Sequence, residues 1–355
     1  MLNFTVGPVM SDPHIVEVSN CSTPYFRTPE FSDIMKENEA LFLDFLNAPE
    51  GSKAVFLTAS GTGSMESVVM NILNDEDKII VINGGSFGHR FVELCELHKR
   101  DFTEVKCEFG HQLRKEQLKG LEDHTALLIN MHETSSGVLY DMEMVSDFCK
   151  ANKIMLIVDA ISAFIADDLD MSKFGAAAVI TGSQKALAVQ PGISLIALSP
   201  EAIERIENNK EVCMYLSLKQ ALMNGKRGQT PFTPAVTILL QINKRLHMIS
   251  DMGGIFEEQK NIASVAAHFR NSIKDLPLEF VSESPSNAVT CLKPKHGRAK
   301  EIVRILKDEY QIWVCPNGGA YADTYFRIGH IGYITKEDNK KLIDALHDMD
   351  KRRLL

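Results

Sequence analysis

The chain has 355 residues, 45% hydrophobic and 24% charged, enough for one large globular unit or a large domain with a smaller one. No run approaches the roughly 20 apolar residues that cross a bilayer, and Met1-Leu2-Asn3-Phe4-Thr5 lacks the basic start of a signal peptide, so a cytoplasmic, membrane-free protein is expected. A formal net charge of -9 offers no broad positive field for nucleic acid.

From about Lys53 to Ser199, short apolar runs alternate with helical patterns, which predicts a mostly parallel mixed sheet covered by helices. Buried strands are expected at 54–57, 79–82, 126–129, 155–158, 178–180 and 193–197. Helices are expected around 64–74, 87–98, 140–151 and 200–209. After Pro234 a periodic segment runs to about Ile249, and Met252-Gly253-Gly254 breaks it. The chain then resets to strand 288–292, helix 299–306, strand 312–314 and a last helix from Lys336, the pattern of a smaller α+β domain. The expected division is an N-terminal arm 1–17, a large domain 18–250 and a small C-terminal domain 251–355. The seven cysteines are scattered, with no CxxC pair or Cys/His cluster, so neither a disulfide framework nor a metal site is expected.

In parallel sheets, ligands bind at the carboxyl ends of strands. After the first strand comes Thr58-Ala59-Ser60-Gly61-Thr62-Gly63-Ser64, a small-residue turn that either cradles a phosphate on backbone N–H groups or is only a tight connection. It is not a dinucleotide fingerprint, because the third glycine would fall on Glu66. After the second strand, Gly84-Gly85-Ser86-Phe87-Gly88-His89-Arg90 offers Phe87 as a flat face for a cofactor ring or as a core residue. His132-Glu133-Thr134-Ser135-Ser136-Gly137 follows the third, with Thr134 the residue to watch, as ligand contact or capped turn. Asp159 ends an apolar strand, where a carboxylate wants a cationic partner such as a protonated pyridine nitrogen, or caps the next segment. Lys185 lies between two buried strands, an expensive place for an ammonium unless it is paired or chemically used.

Gly182-Ser183-Gln184-Lys185-Ala186-Leu187 with Pro191-Gly192, Phe4-Thr5-Val6-Gly7-Pro8, and Phe326-Arg327-Ile328-Gly329-His330-Ile331-Gly332 together resemble the class V, fold-type I aminotransferases dependent on pyridoxal 5'-phosphate. The likeness is to the alanine/serine-glyoxylate and 2-aminoethylphosphonate-pyruvate branch and covers nearly the whole chain. The resemblance implies that Lys185 holds the cofactor covalently and that Asp159 partners its ring nitrogen. It implies a phosphate cup of Ser60, Gly61 and Thr62 with Gln184 adding a polar contact, Phe87 stacking on the ring, and Thr134 near the phenolic oxygen. Arg327 matches the arginine that grips the substrate carboxylate, to which a planar guanidinium fork is suited. Thr233 matches a phosphate contact from the neighbouring subunit, so a homodimer with shared sites is implied. Three positions depart from the family pattern: Ala177, Thr62 in place of histidine, and Thr230 in place of an aromatic residue.

The activity this implies is ping-pong transfer of an amino group from alanine or serine to glyoxylate or pyruvate, with 2-aminoethylphosphonate as an alternative donor. Two rivals are weaker. A cysteine desulfurase typically has histidine where Gln184 and Phe87 stand, and Cys315 is its only loop-like candidate thiol. A non-catalytic regulator on the same fold carries an added DNA-binding domain, for which this acidic chain has no room.

Overall fold

The computed structural model describes residues Met1–Leu355. Its larger sheet has seven strands: β1 (Lys53–Leu57), β2 (Lys78–Asn83), β3 (Asp101–Lys106), β4 (Ala126–Asn130), β5 (Met155–Asp159), β6 (Ala176–Gly182) and β7 (Ser194–Leu198), in the order β1-β7-β6-β5-β4-β2-β3. All neighbouring pairs are parallel except those of β7, which runs antiparallel to both β1 and β6.

Burial on both faces explains why the inner strands read as unbroken apolar runs. Side chains alternate across the sheet: Ile80, Ile82, Leu127, Ile129, Leu156 and Val158 enter one core, while Ile79, Val81, Leu128, Met155 and Ile157 enter the other. All six expected strands are present, but β3 was not anticipated. Its sequence, Asp-Phe-Thr-Glu-Val-Lys, buries only Val105, because β3 is an edge strand with one neighbour. The helix Pro29–Phe45 also lay outside the expected pattern, although Thr28 caps it by accepting the Phe31 N–H at 3.2 Å and Pro29 occupies its first turn. It buries Phe31, Met35, Phe42 and Phe45 along one stripe.

The second sheet has five strands: an N-terminal strand Leu2–Phe4, then β8 (Leu278–Phe280), β9 (Val289–Pro294), β10 (Ile312–Pro316) and β11 (Phe326–Gly329), ordered N-terminal strand-β10-β11-β9-β8. The first residues of the chain thus pair in parallel with β10, more than 300 positions away, and Val6 beyond them reaches Lys185 of the large sheet's β6–β7 loop. The glycine pair after Asp251 ends one helix at Asp251 and lets the next begin at Ile255, with Gly253 and Gly254 both at positive φ. No helix is long and apolar enough to cross a membrane.

The central strands set most of the stability. Leu128→Ala, at a fully buried position, is expected to cost about 2–5 kcal/mol. Asp101→Ala, on the exposed start of the edge strand, should stay within about 0.5 kcal/mol of wild type. Urea unfolding of the two variants measures the difference; equal midpoints would refute the assignment of the core.

Candidate active site

The carboxyl ends of β1, β2, β4, β5 and β6 open on one edge of the large sheet, and the singled-out residues follow those ends. Lys185 sits in the loop joining β6 to β7. Ser183 folds that loop on itself: its N–H donates to the Ile193 carbonyl at 2.9 Å, its carbonyl accepts the Val189 N–H at 2.9 Å, and its hydroxyl donates to the Gln190 carbonyl at 2.7 Å. The lysine therefore leaves a rigid support. Its Nζ donates to the Val6 carbonyl at 2.7 Å, and a Cβ on Gly7 would stand 2.8 Å from its Cδ, so only glycine lets the N-terminal segment pass this close. Burial, reinforced by Arg327 and opposed by Asp159, lowers the Lys185 pKa to about 8.

Asp159 ends β5 and is 4% exposed. One of its oxygens accepts the Ile161 N–H at 2.8 Å, and no lysine or arginine forms an ion pair with it. Burial, with the nearby Glu133, raises its pKa to about 6; Lys185 and Arg90 act in the other direction. A buried carboxylate in this state gains from a cation brought by a ligand. Ser60 is the N-cap of the helix Gly61–Asn71 and Gly61 and Thr62 begin it; no side chain caps its first-turn N–H groups, which are donors of the kind that bind an anion. Gly61 packs against Ile161, which a Cβ would strike, tying the cup to the Asp159 turn. Thr62 accepts a bond from Arg90 at 3.0 Å, and the Arg90 guanidinium lies 5.1 Å from the centre of the half-buried Phe87 ring. Thr134 exchanges a 2.6 Å hydrogen bond with Ser162, and Gln184 accepts the Val9 N–H through its backbone carbonyl at 3.3 Å.

Arg327 lies on β11 and is 8% exposed. It donates to the Thr134 carbonyl at 3.2 Å, the Pro316 carbonyl at 2.8 Å and the Cys315 sulfur at 3.1 Å, while its buried Nε has no partner. No carboxylate neutralises it within the chain. In front of it lies a cavity of about 420 Å³ lined by Ser135, Asn317, Tyr321, His89 and Lys106 among others, none of them acidic. Thr233 stands apart: it is exposed, on a loop whose Ala235 N–H donates to Thr58 at 3.1 Å, near Tyr215 and Phe232, which stack 5.3 Å apart.

Several neighbours of these groups were not singled out from the sequence. Ser162, Arg90 and Val6 act through contacts between distant segments, and Ser183 through bonds across its own loop. Glu133 and His132 were quoted only as parts of a polar run. His132 is fully buried, and burial followed by the charge of Lys185 lowers its pKa to about 3, so it is neutral.

The Aminotransferase class-V family model matches residues 17–333. The chain belongs to that family. An uncharacterized aminotransferase of Helicobacter pylori J99 is 30% identical to this class-V aminotransferase over 365 residues, covering 99% of this chain and 95% of that one. The serine–glyoxylate aminotransferase of Arabidopsis thaliana is 26% identical, covering 94% and 86%. Among solved structures, alanine–glyoxylate aminotransferase from Nostoc sp. superposes with a TM-score of 0.91 at 23% identity, covering 98% and 94%. The fold is fold type I of the pyridoxal 5'-phosphate-dependent transferases, and the enzyme is a transaminase that uses this cofactor.

The donor set fits that cofactor. It supplies a buried amine with a lowered pKa, a buried carboxylate with no cation, a helix N-terminus and a guanidinium with no counter-ion. In the cofactor-free protein the Lys185 amine should lose its proton as pH rises through about 8. The rate at which added pyridoxal 5'-phosphate becomes attached should accordingly climb through this range and level off above it, because the neutral amine is the nucleophile. Stopped-flow absorbance against pH measures the profile; a midpoint near 10.5, the ordinary lysine value, would show that Lys185 is not desolvated.

Proposed function

We propose that this class-V aminotransferase moves an amino group from alanine or serine to glyoxylate or pyruvate in a ping-pong sequence. The observation that carries the reading is Arg327, a buried guanidinium without a carboxylate, beside a buried lysine of lowered pKa. The serine–glyoxylate relative supports the choice of partners.

When bound, pyridoxal 5'-phosphate would supply an electrophilic carbonyl for the donor amine and a ring that accepts electrons. The protein's own groups do the rest. Ser60, Gly61 and Thr62, with Gln184, would hold the phosphate, Phe87 would pack on the ring, and Thr134 would contact the phenolic oxygen. Asp159, when ionised, would pair with the ring nitrogen and favour a proton there. Arg327 holds the substrate carboxylate in a planar fork, aligning the Cα–H bond toward Lys185. Lys185 Nζ would take the Cα proton as general base and, as general acid, deliver it to the cofactor carbon that bears the amino nitrogen, which its lowered pKa permits near neutral pH. The exposure of Thr233 leaves it available to a second subunit, so the reading includes a homodimer in which Thr233 reaches the partner's phosphate. Twenty buried residues, from Phe4 and 269–355, form a core of their own, which supports reading 251–355 as a smaller domain.

A second reading, transfer from 2-aminoethylphosphonate to pyruvate, is favoured by the cavity in front of Arg327. Its lining includes His89 and Lys106 and no acid, and a guanidinium binds phosphonate as well as carboxylate.

Alanine, serine and 2-aminoethylphosphonate, each mixed with the holoenzyme, are expected to bleach the absorbance of the bound cofactor with alanine or serine fastest. Glyoxylate or pyruvate should restore it. Bleaching by the phosphonate alone would replace the lead reading with the second. Lys185→Ala should abolish turnover, and Arg327→Gln should lower kcat/KM for the keto acid by about a hundredfold or more, as loss of a buried charged partner does. Wild-type rates in the Lys185 variant would refute the mechanism.

A further inference from the structure

Glu133 lies in the site without a role in the reaction outlined above. It has no exposed surface, and no lysine or arginine pairs with it. Its carboxylate is held by hydrogen-bond donors from three segments. One oxygen accepts the Gly88 N–H at 3.0 Å and the Asn130 amide at 3.0 Å; the other accepts the Phe87 N–H at 3.4 Å, the Ser135 N–H at 3.1 Å and the Ser135 hydroxyl. Ser135 in turn accepts the Ser86 N–H at 3.2 Å.

The N–H groups of Phe87 and Gly88 are first-turn donors of the helix Ser86–Leu97, whose N-cap, Gly85, has no side chain to satisfy them. Glu133 does this from a neighbouring turn, and its negative charge suits the positive end of the helix. The surrounding glycines make the approach possible. A Cβ on Gly85 would stand 2.6 Å from the Glu133 carboxyl carbon, and one on Gly88 would stand 2.7 Å from the Ile82 carbonyl. The backbone that carries the Phe87 ring is therefore fastened to a carboxylate at its own amide. The same carboxylate acts on Asp159, whose pKa it helps to raise along with burial, and Asn130, which bonds it, is the register partner of Asp159.

We propose that Glu133 is a positioning residue that fixes the Phe87 ring against the cofactor plane and adds negative charge behind Asp159. The inference rests on reading Phe87 as the stacking residue. Its substitutions are distinguishable from damage to the fold, because the binding and optical environment of the cofactor are read separately from stability.

The test compares Glu133→Gln, Glu133→Asp and Phe87→Leu with wild type in the full-length enzyme. Apo-protein is titrated with pyridoxal 5'-phosphate, the visible circular dichroism of the reconstituted enzyme is recorded, and thermal midpoints are taken with and without cofactor. Glu133→Gln removes the charge and sets an NH2 group against backbone donors, so the cofactor Kd should rise about tenfold, the loss of one charged hydrogen bond. The visible band should weaken, and kcat should fall with the KM for alanine nearly unchanged. Glu133→Asp keeps the charge at shorter reach and should lie between Glu133→Gln and wild type; it also serves if the glutamine variant does not fold. A Glu133→Gln or Glu133→Asp enzyme with wild-type Kd, visible band and kcat, and only a lowered thermal midpoint, overturns the proposal. If Phe87→Leu leaves the band unchanged while Glu133→Gln alters it, the stacking assignment is the part that fails.

Discussion

Folding takes one ammonium group out of water and leaves it without a carboxylate, and the remainder of the site is organised around that cost. Lys185 gives up hydration for a single 2.7 Å bond to the Val6 carbonyl, and burial together with Arg327 lowers its affinity for a proton. A lysine in this state releases its proton near pH 8 and not near the ordinary 10.5, so a usable fraction is already amine at neutral pH, unlike an exposed lysine. The Ser183 bonds fix the backbone from which it projects, a turn tied at both ends between two buried antiparallel strands.

The opposing charges are arranged by the same economy of solvent. Asp159 is raised by burial and Lys185 lowered by it, yet they are not paired in an ion bridge, so each keeps its capacity for a ligand. Arg327 is similar: its contacts are carbonyls and a sulfur, acceptors that orient the guanidinium without neutralising it. Buried charge left uncompensated in this way destabilises the free protein, and a ligand of complementary charge recovers that free energy on binding.

Glycines decide how closely the pieces approach. Gly7 admits the lysine, Gly61 admits Ile161 beside the Asp159 carboxylate, and Gly85 admits Glu133 to the foot of the Phe87 helix. Each stands where two segments far apart in sequence touch. A substitution at any of them would act on a partner that sequence order does not reveal.

The alternation of apolar runs with helical patterns was sufficient for the layered fold, because a strand buried on both faces must be apolar throughout. Asp159 and Lys185 were conspicuous for the same reason, since a charge beside such a run is costly, although for Asp159 the sequence left partner and cap both open. The edge strand Asp101–Lys106 was not, since a strand with one neighbour keeps a solvent-compatible sequence. Ser60, Phe87, Thr134 and Arg327 stood out less by themselves, and the roles proposed for them came from resemblance to a family. Glu133 stood out only as part of a polar run, because two of its donors, the Phe87 and Gly88 amides, lie 46 and 45 positions away and only the fold brings them to its carboxylate. By itself the sequence determined which segments must be buried, because hydrophobic burial is a property of local composition. Only the tertiary structure decided what meets what at the carboxyl edge of the sheet, because hydrogen bonds and charge coupling act over a few ångströms between residues that chain order keeps apart.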